Sequence, residues 1–247
     1  MKKGVEGQVG IRRATLESNT GTGIALNITR TRVTVLVFNL TIISLLLSMI
    51  VARGGTTGEQ HVIAHLTSYA ALFVGFCLTL LGIFWLLFSQ NLDAQGLSLP
   101  WPFTLGSITT FLALSQTVTA FMHEYLVEFE SVVAAMRPIG ADQTQGLARL
   151  DVLKLDALGH TPLFILLVMG GAIWFLITYM APLSTVIRSP VRGGRRWVFA
   201  AYYFAIQVPL YWVYASAWRL QYVSADQPTD MLSLFGLQFV QPLLWFR

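Results

Sequence analysis

Five long apolar segments constrain this chain more than any other feature of its sequence. Each holds at least twenty residues, and a helix of about 20 apolar residues crosses the hydrocarbon core of a bilayer. Strands of a membrane barrel are about ten residues long and alternate in hydrophobicity, which these segments do not. Helices are the other way to satisfy the backbone in lipid. The predicted spans are 33–52, 61–89, 101–125, 161–187 and 197–218.

Composition supports the same class of protein. Only 11% of the 247 residues are charged and 55% are hydrophobic, whereas a soluble domain carries roughly 25% charged residues. A soluble enzyme is therefore excluded, and the single cysteine, Cys77, excludes a disulfide scaffold. We expect an all-α, polytopic membrane protein built as a bundle of five transmembrane helices, with Cys77 in the core of the second.

The remaining segments predict the domain organisation. Residues 1–32 are polar and Gly-rich and lack the apolar core of a signal peptide, so we expect a flexible tail before a transmembrane domain at 33–218. The loop 126–160 contains leucines at helical spacing among charged residues, which predicts a short amphipathic helix. In the C-terminal segment 219–247, the apolar stretch 231–246 is short for a span. It is predicted to be an interfacial or re-entrant helix, or else a short sixth span.

Charge asymmetry predicts the orientation of the spans. Ten of the sixteen Lys and Arg residues fall in the tail and in the loop between spans four and five, whereas nine of the twelve Asp and Glu residues fall on the other side. Because basic residues favour the cytoplasm, we expect a cytoplasmic N-terminus and a C-terminus outside. The basic residues are not interleaved with aromatic ones on one surface, so nucleic acid is not an expected partner.

Spans two and three each carry a polar face. In lipid, helices associate through small and polar residues, which should therefore point into the bundle. Helix packing alone can explain the Ser, Thr and Gly positions, but a glutamine in a span needs a partner or water. The face of span two comprises His61, His65, Ser68, Gly75, Thr79 and Gly82, and that of span three comprises Thr109, Gln116, Thr119 and His123.

All four histidines are predicted to lie on the outer side, together with several carboxylates. His61 and His65 form an i, i+4 pair, a spacing that places two imidazoles on one helix face, as a metal site requires. The pair lacks the glutamate of a zinc-protease signature, so no protease is implied. The candidate ligands for copper, zinc or iron are His61, His65, His123, His160, Glu124 and Asp156.

Two further interpretations use the same histidines. His65 and His123 have the chemistry of the two axial ligands of a b-type haem held between spans two and three. The histidines are also candidates for protonatable groups on an ion or proton pathway, with Gln116 and Thr119 along it. A fourth interpretation has them hydrogen-bonding to headgroups, water or neighbouring helices.

These observations predict an integral subunit of a larger membrane complex, with an outer His/carboxylate cluster able to hold a metal ion or haem. Such a subunit would be non-catalytic or co-catalytic, since the chain has no P-loop or dinucleotide motif and little room for a soluble active site. The alternatives are a small homo-oligomeric ion or proton channel, lined by the polar faces of spans two and three, and an assembly protein without a ligand. Expected partners are the bilayer and other membrane subunits or further copies of the chain.

Overall fold

The computed structural model describes residues 30–52, 65–97, 99–141, 164–189, 191, 194, 196–222 and 230–245, with side chains omitted for 128–141 and 222. Several predicted features lie outside these residues: positions 1–29 of the tail, the amphipathic helix, and the candidate ligands His61, Asp156 and His160. Residues 30–32, predicted as the end of the flexible tail, are helical instead. Over the described ranges the chain is helical and contains no strand. The all-α class is therefore confirmed.

Five of the described helices are long and apolar enough to cross a membrane. Their bounds are α1 Arg30–Ala52, α2 Leu66–Ala94, α3 Pro100–Ala141, α4 Phe164–Arg188 and α5 Arg196–Tyr222. Each overlaps one predicted span. The main differences are that the described α2 begins after His65, and that α3 continues well beyond residue 125.

Helix α3 is the central element of the bundle. In its most apolar stretch 78% of the residues are buried, against 28% to 39% in the other four helices. Most of its hydroxyls are satisfied locally, as when Thr109 Oγ1 donates to the Leu105 carbonyl at 2.8 Å and Thr110 Oγ1 to the Gly106 carbonyl at 2.7 Å. A helix this rich in Ser and Thr can lie among other helices because most of these side chains complete a hydrogen bond within it.

The contact between α2 and α3 is close because small residues line it. A Cβ added at Gly106 of α3 would come within 2.9 Å of the Leu86 side chain, and one added at Gly75 of α2 within 3.3 Å of the Gln116 side chain. On α2, His65, Ser68, Gly75, Thr79 and Gly82 are all buried. The predicted inward face of span two is therefore confirmed for its described members.

Large apolar side chains cover the outside of the bundle, as expected for helices in contact with lipid. The most exposed include Phe38, Phe73, Phe164, Leu176, Trp197 and Leu220. Cys77 is also exposed, so its predicted place in the core is wrong. The reason is helical periodicity: Cys77 lies two residues after the buried Gly75, which turns its side chain about 200° away from the polar face.

The segment 230–245 folds into two short helices, α6 Met231–Gln238 and α7 Gln241–Leu244. Asp230 caps α6 by accepting a hydrogen bond from the Leu232 N–H at 3.0 Å. Phe239, at the turn, packs against Tyr211 near the middle of α5, whereas Trp245 lies beside His123. We call this segment the C-terminal helix pair. Neither helix is long enough to cross a bilayer, and their polar side chains Gln238 and Gln241 are buried against the bundle.

Candidate functional site

The beginning of α2 and the middle of α3 bring a histidine and a carboxylate together. His65 is the N-terminal cap residue of α2, and its Nδ1 lies 2.8 Å from Glu124 Oε2. The two side chains are only 6% and 11% exposed. We call these two residues the outer pair, and the end of the bundle that contains them the histidine end. A buried contact of this length is a strong, charge-assisted hydrogen bond when the partners are ionised.

Two buried polar atoms beside this contact have no hydrogen-bond partner in the described chain. A carboxylate can accept several hydrogen bonds, yet Glu124 Oε1 is buried without a partner. Ser68 Oγ, on the next turn of α2 after His65, is likewise buried without a partner. Unfilled polar atoms of this kind cost free energy unless water or a ligand supplies the missing contact.

His123 has different neighbours from the outer pair. Successive residues of a helix point about 100° apart, so Glu124 faces α2 while His123 faces α5 and the C-terminal helix pair. The His123 ring packs edge-on against Trp218 and Trp245, with centroids 6.1 Å and 6.4 Å away, and its Nε2 is buried without a partner. The structure therefore joins His65 to Glu124 and surrounds His123 with indole rings.

The two residues predicted to lie on a pathway are engaged in contacts between helices. Gln116 accepts a hydrogen bond from the Tyr214 hydroxyl of α5. Thr119 accepts one from the Trp174 indole N–H of α4 at 3.0 Å and donates one to Gln241 Oε1 at 3.2 Å. These side chains tie α3 to three neighbouring elements. Tyr214 of α5 thus finds its hydrogen-bond partner within the chain.

Sequence reasoning did not identify Trp174 or Gln241 as members of this polar network. Trp174 lies in an uncharged and mostly apolar span, where its sequence context does not distinguish an indole from any other large side chain. Gln241 carried a usable signal, because an amide within a short apolar segment needs a buried partner or water. Its partner, Thr119, is distant in sequence, so only the fold reveals the pairing.

The predicted metal-ligand set is only partly described. His61, Asp156 and His160 lie outside the described residues. Within the part of the chain that the structure describes, no three His, Cys, Asp or Glu side chains come close enough together to hold a metal ion. Three of the predicted ligands are therefore described: His65 and Glu124, which form the outer pair, and His123, which is not part of that pair.

The chemistry of the outer pair suits two tasks. An imidazole backed by a carboxylate is a good metal ligand, because the carboxylate fixes the ring and raises its basicity. The same two groups can exchange a proton within a largely apolar bundle. No family model matches this chain, and neither a curated protein nor a solved structure matches it.

Proposed function

We propose that this chain is an integral membrane subunit that binds a transition metal at the histidine end of its bundle. The observation that carries the proposal is the buried 2.8 Å contact between His65 Nδ1 and Glu124 Oε2. Histidines that bind metals usually donate the ring N–H not used for the metal to a carboxylate. Glu124 would thus orient His65 so that Nε2 is the ligating atom. Imidazole ligation suits copper, zinc or iron.

The burial of the outer pair favours a role in ligand binding over a role in protein stability. Removing two ionisable groups from water is costly, and an ion pair in an apolar interior rarely repays that cost in stability. Ionisable residues inside membrane bundles therefore tend to mark functional sites. The unpartnered Glu124 Oε1 can accept a further hydrogen bond, from water or from another group that supports the site. His61, Asp156 and His160 are the expected sources of further ligands.

The test is metal affinity measured on purified apo-protein and two variants. Glu124→Gln keeps the size of the side chain but removes the charge, and it should weaken binding by about 10- to 100-fold, as loss of a supporting carboxylate does in other metal sites. His65→Ala should abolish binding. Asp93→Asn, the same change at an exposed position near the far end of α2, should leave the affinity unchanged. Equal affinity in the wild-type protein and Glu124→Gln would refute the proposed role of Glu124.

Haem b remains the other cofactor proposal for this end of the bundle, with His65 and His123 as axial ligands. A variant at His123 separates it from the metal proposal. For a metal held at the outer pair, His123→Ala should retain the metal, because its ring packs between Trp218 and Trp245. For a haem with two histidine ligands, the same variant should lose the Soret band or shift it.

The second candidate function is an ion or proton channel. The observation in its favour is the column of buried polar side chains on α3, which includes Gln116 and Thr119 at 2% and 0% exposure. Gln116→Leu should then change the conductance of the protein in a planar bilayer and leave its metal content alone. Absence of current from the wild-type protein would contradict this function. Absence of both current and metal would favour an assembly role without a ligand.

Orientation in the membrane is also a proposal, with the N-terminus in the cytoplasm. It can be tested in a Cys77→Ser background with one new cysteine at a time. Gly194→Cys, between α4 and α5, should be protected from an impermeant thiol reagent added outside intact cells. Asp230→Cys, at the exposed start of the C-terminal helix pair, should be labelled. The reverse pattern would invert the topology and place the outer pair on the cytoplasmic side.

A further inference from the structure

Two backbone irregularities meet near the middle of the bundle. The first is a π-helical turn, Leu176–Met180, within α4, and the second is the break between α6 and α7 at Phe239. A tyrosine hydroxyl bonds to a carbonyl oxygen at each: Tyr203 Oη donates to the Thr178 carbonyl at 3.0 Å, and Tyr179 Oη donates to the Phe239 carbonyl at 2.6 Å. Turns of this kind expose backbone carbonyls and occur often at functional sites.

The side chains around these turns form two hydrogen-bonded sets, joined into one polar group by the adjacent residues Thr178 and Tyr179 of α4. Gln207 Nε2 donates to Tyr203 Oη at 3.4 Å, and the hydroxyls of Tyr179 and Tyr211 lie 3.2 Å apart. We call this group the mid-bundle cluster; it comprises Thr178, Tyr179, Tyr203, Gln207 and Tyr211. Every one of these side chains is neutral at pH 7, and together they present hydroxyl, amide and carbonyl oxygens.

Two oxygens of the mid-bundle cluster are buried without a hydrogen-bond partner. They are Thr178 Oγ1 and Gln207 Oε1, on residues that are 0% and 1% exposed. The amide nitrogen of Gln207 is already bonded to Tyr203, so its oxygen is the atom in need of a contact. An amide oxygen can only accept, and a hydroxyl oxygen has lone pairs to offer, so a positively charged or hydrogen-bond-donating ligand suits both.

We infer that the mid-bundle cluster binds a monovalent alkali cation, with Na⁺ as the ion to test first. Neutral carbonyl, amide and hydroxyl oxygens are ligands for hard cations and not for copper or zinc. A divalent ion would be poorly balanced by a set of neutral ligands in an apolar interior. Irregular helices whose freed carbonyls coordinate Na⁺ at the bilayer midplane are an established way for membrane proteins to build such a site. The site is separate from the outer pair and does not depend on the proposed metal.

The experiment is a scintillation proximity assay of ²²Na⁺ binding to the purified protein in mild detergent. Saturable binding that NaCl displaces and choline chloride does not is the expected result, with KCl competing to measure selectivity. Thr178→Val and Gln207→Leu should each lower the affinity at least tenfold, and Thr178→Ser should retain it. Asn39→Leu is the matched control, because Asn39 Oδ1 is also buried and unpartnered but its amide bonds to Thr79 between α1 and α2.

The possible results distinguish a bound cation from water in the mid-bundle cluster. Equal affinity in the wild-type protein, Thr178→Val and Gln207→Leu would overturn the assignment. Because a variant that misfolds loses binding trivially, each is first checked for a monodisperse profile by size-exclusion chromatography. If neither variant folds, the inference is judged from ²²Na⁺ binding to the wild-type protein alone. Absence of saturable binding to the folded wild-type protein would leave only water in the cluster and refute the inference.

Discussion

Thr119 is the best position at which to test the interior polar network. Its hydroxyl takes part in two interhelical hydrogen bonds, with Trp174 at 3.0 Å and with Gln241 at 3.2 Å. Thr119→Val preserves the shape of the side chain and removes both. Interhelical hydrogen bonds in membrane proteins contribute about 0.6 kcal/mol on average and at most about 1.7 kcal/mol each. Two such bonds predict a loss of about 1–3 kcal/mol in the free energy of unfolding.

Reversible unfolding in mixed micelles of a mild detergent and SDS, followed by circular dichroism, measures that loss. Thr117→Val is the matched control, because Thr117 is buried on the same helix but bonds to the Ala113 carbonyl of its own helix at 3.3 Å. The control should lose less stability than Thr119→Val, because a hydroxyl bonded to a carbonyl of its own helix adds little to helix stability. If Thr119→Val were no less stable than Thr117→Val, the C-terminal helix pair would not be held to α3 as the structure shows.

Three further perturbations test the packing and the capping. Gly106→Val should destabilise the α2–α3 contact by about 1–3 kcal/mol in the same unfolding assay, since a Cβ there already comes within 2.9 Å of the Leu86 side chain. Gly236→Ala, where a Cβ meets open space within α6, should instead stabilise the protein by up to about 1 kcal/mol. Hydrogen bonds from Ser233 and from the Leu232 N–H lower the pKa of Asp230 below 3.8. The charged Asp230 cap should therefore stabilise α6 fully above the pKa of a free Asp, and this stabilisation should disappear as the pH falls through the lower pKa of the folded state. Hydrogen exchange should show α6 losing protection over that pH range in the wild-type protein and not in Asp230→Ala.

The positions of the polar side chains could be predicted from the sequence, whereas most of their partners could not. Helical periodicity, together with the cost of polar groups in lipid, places Gln116, Thr119 and His123 inside the bundle, and all three are buried. The same periodicity, had it been applied to Cys77, would have placed that residue on the lipid-facing side. Which polar residue meets which depends on how the helices pack, and neighbours such as Tyr214 and Gln116 are far apart in sequence.

In the candidate site, too, the sequence predicted which residues are involved but not how they pair. Sequence reasoning selected His65 and Glu124 as separate members of a ligand set, and the fold shows that they are bonded to each other. The mid-bundle cluster had no clear sequence signal, because nothing in the residues 176–180 marks a π-helical turn. The C-terminal helix pair was ambiguous for a physical reason: a mostly apolar stretch of sixteen residues is short for a span, and length alone does not decide how it packs.

Metal binding at the histidine end is tested by the metal content of the wild-type protein purified in mild detergent, with its visible spectrum recorded oxidised and reduced. We expect about one equivalent of copper, zinc or iron per chain, which is lost when the His65 imidazole is removed and is bound more weakly without the Glu124 carboxylate. A folded protein that contains no metal and does not take up any of the three ions when they are added would contradict it.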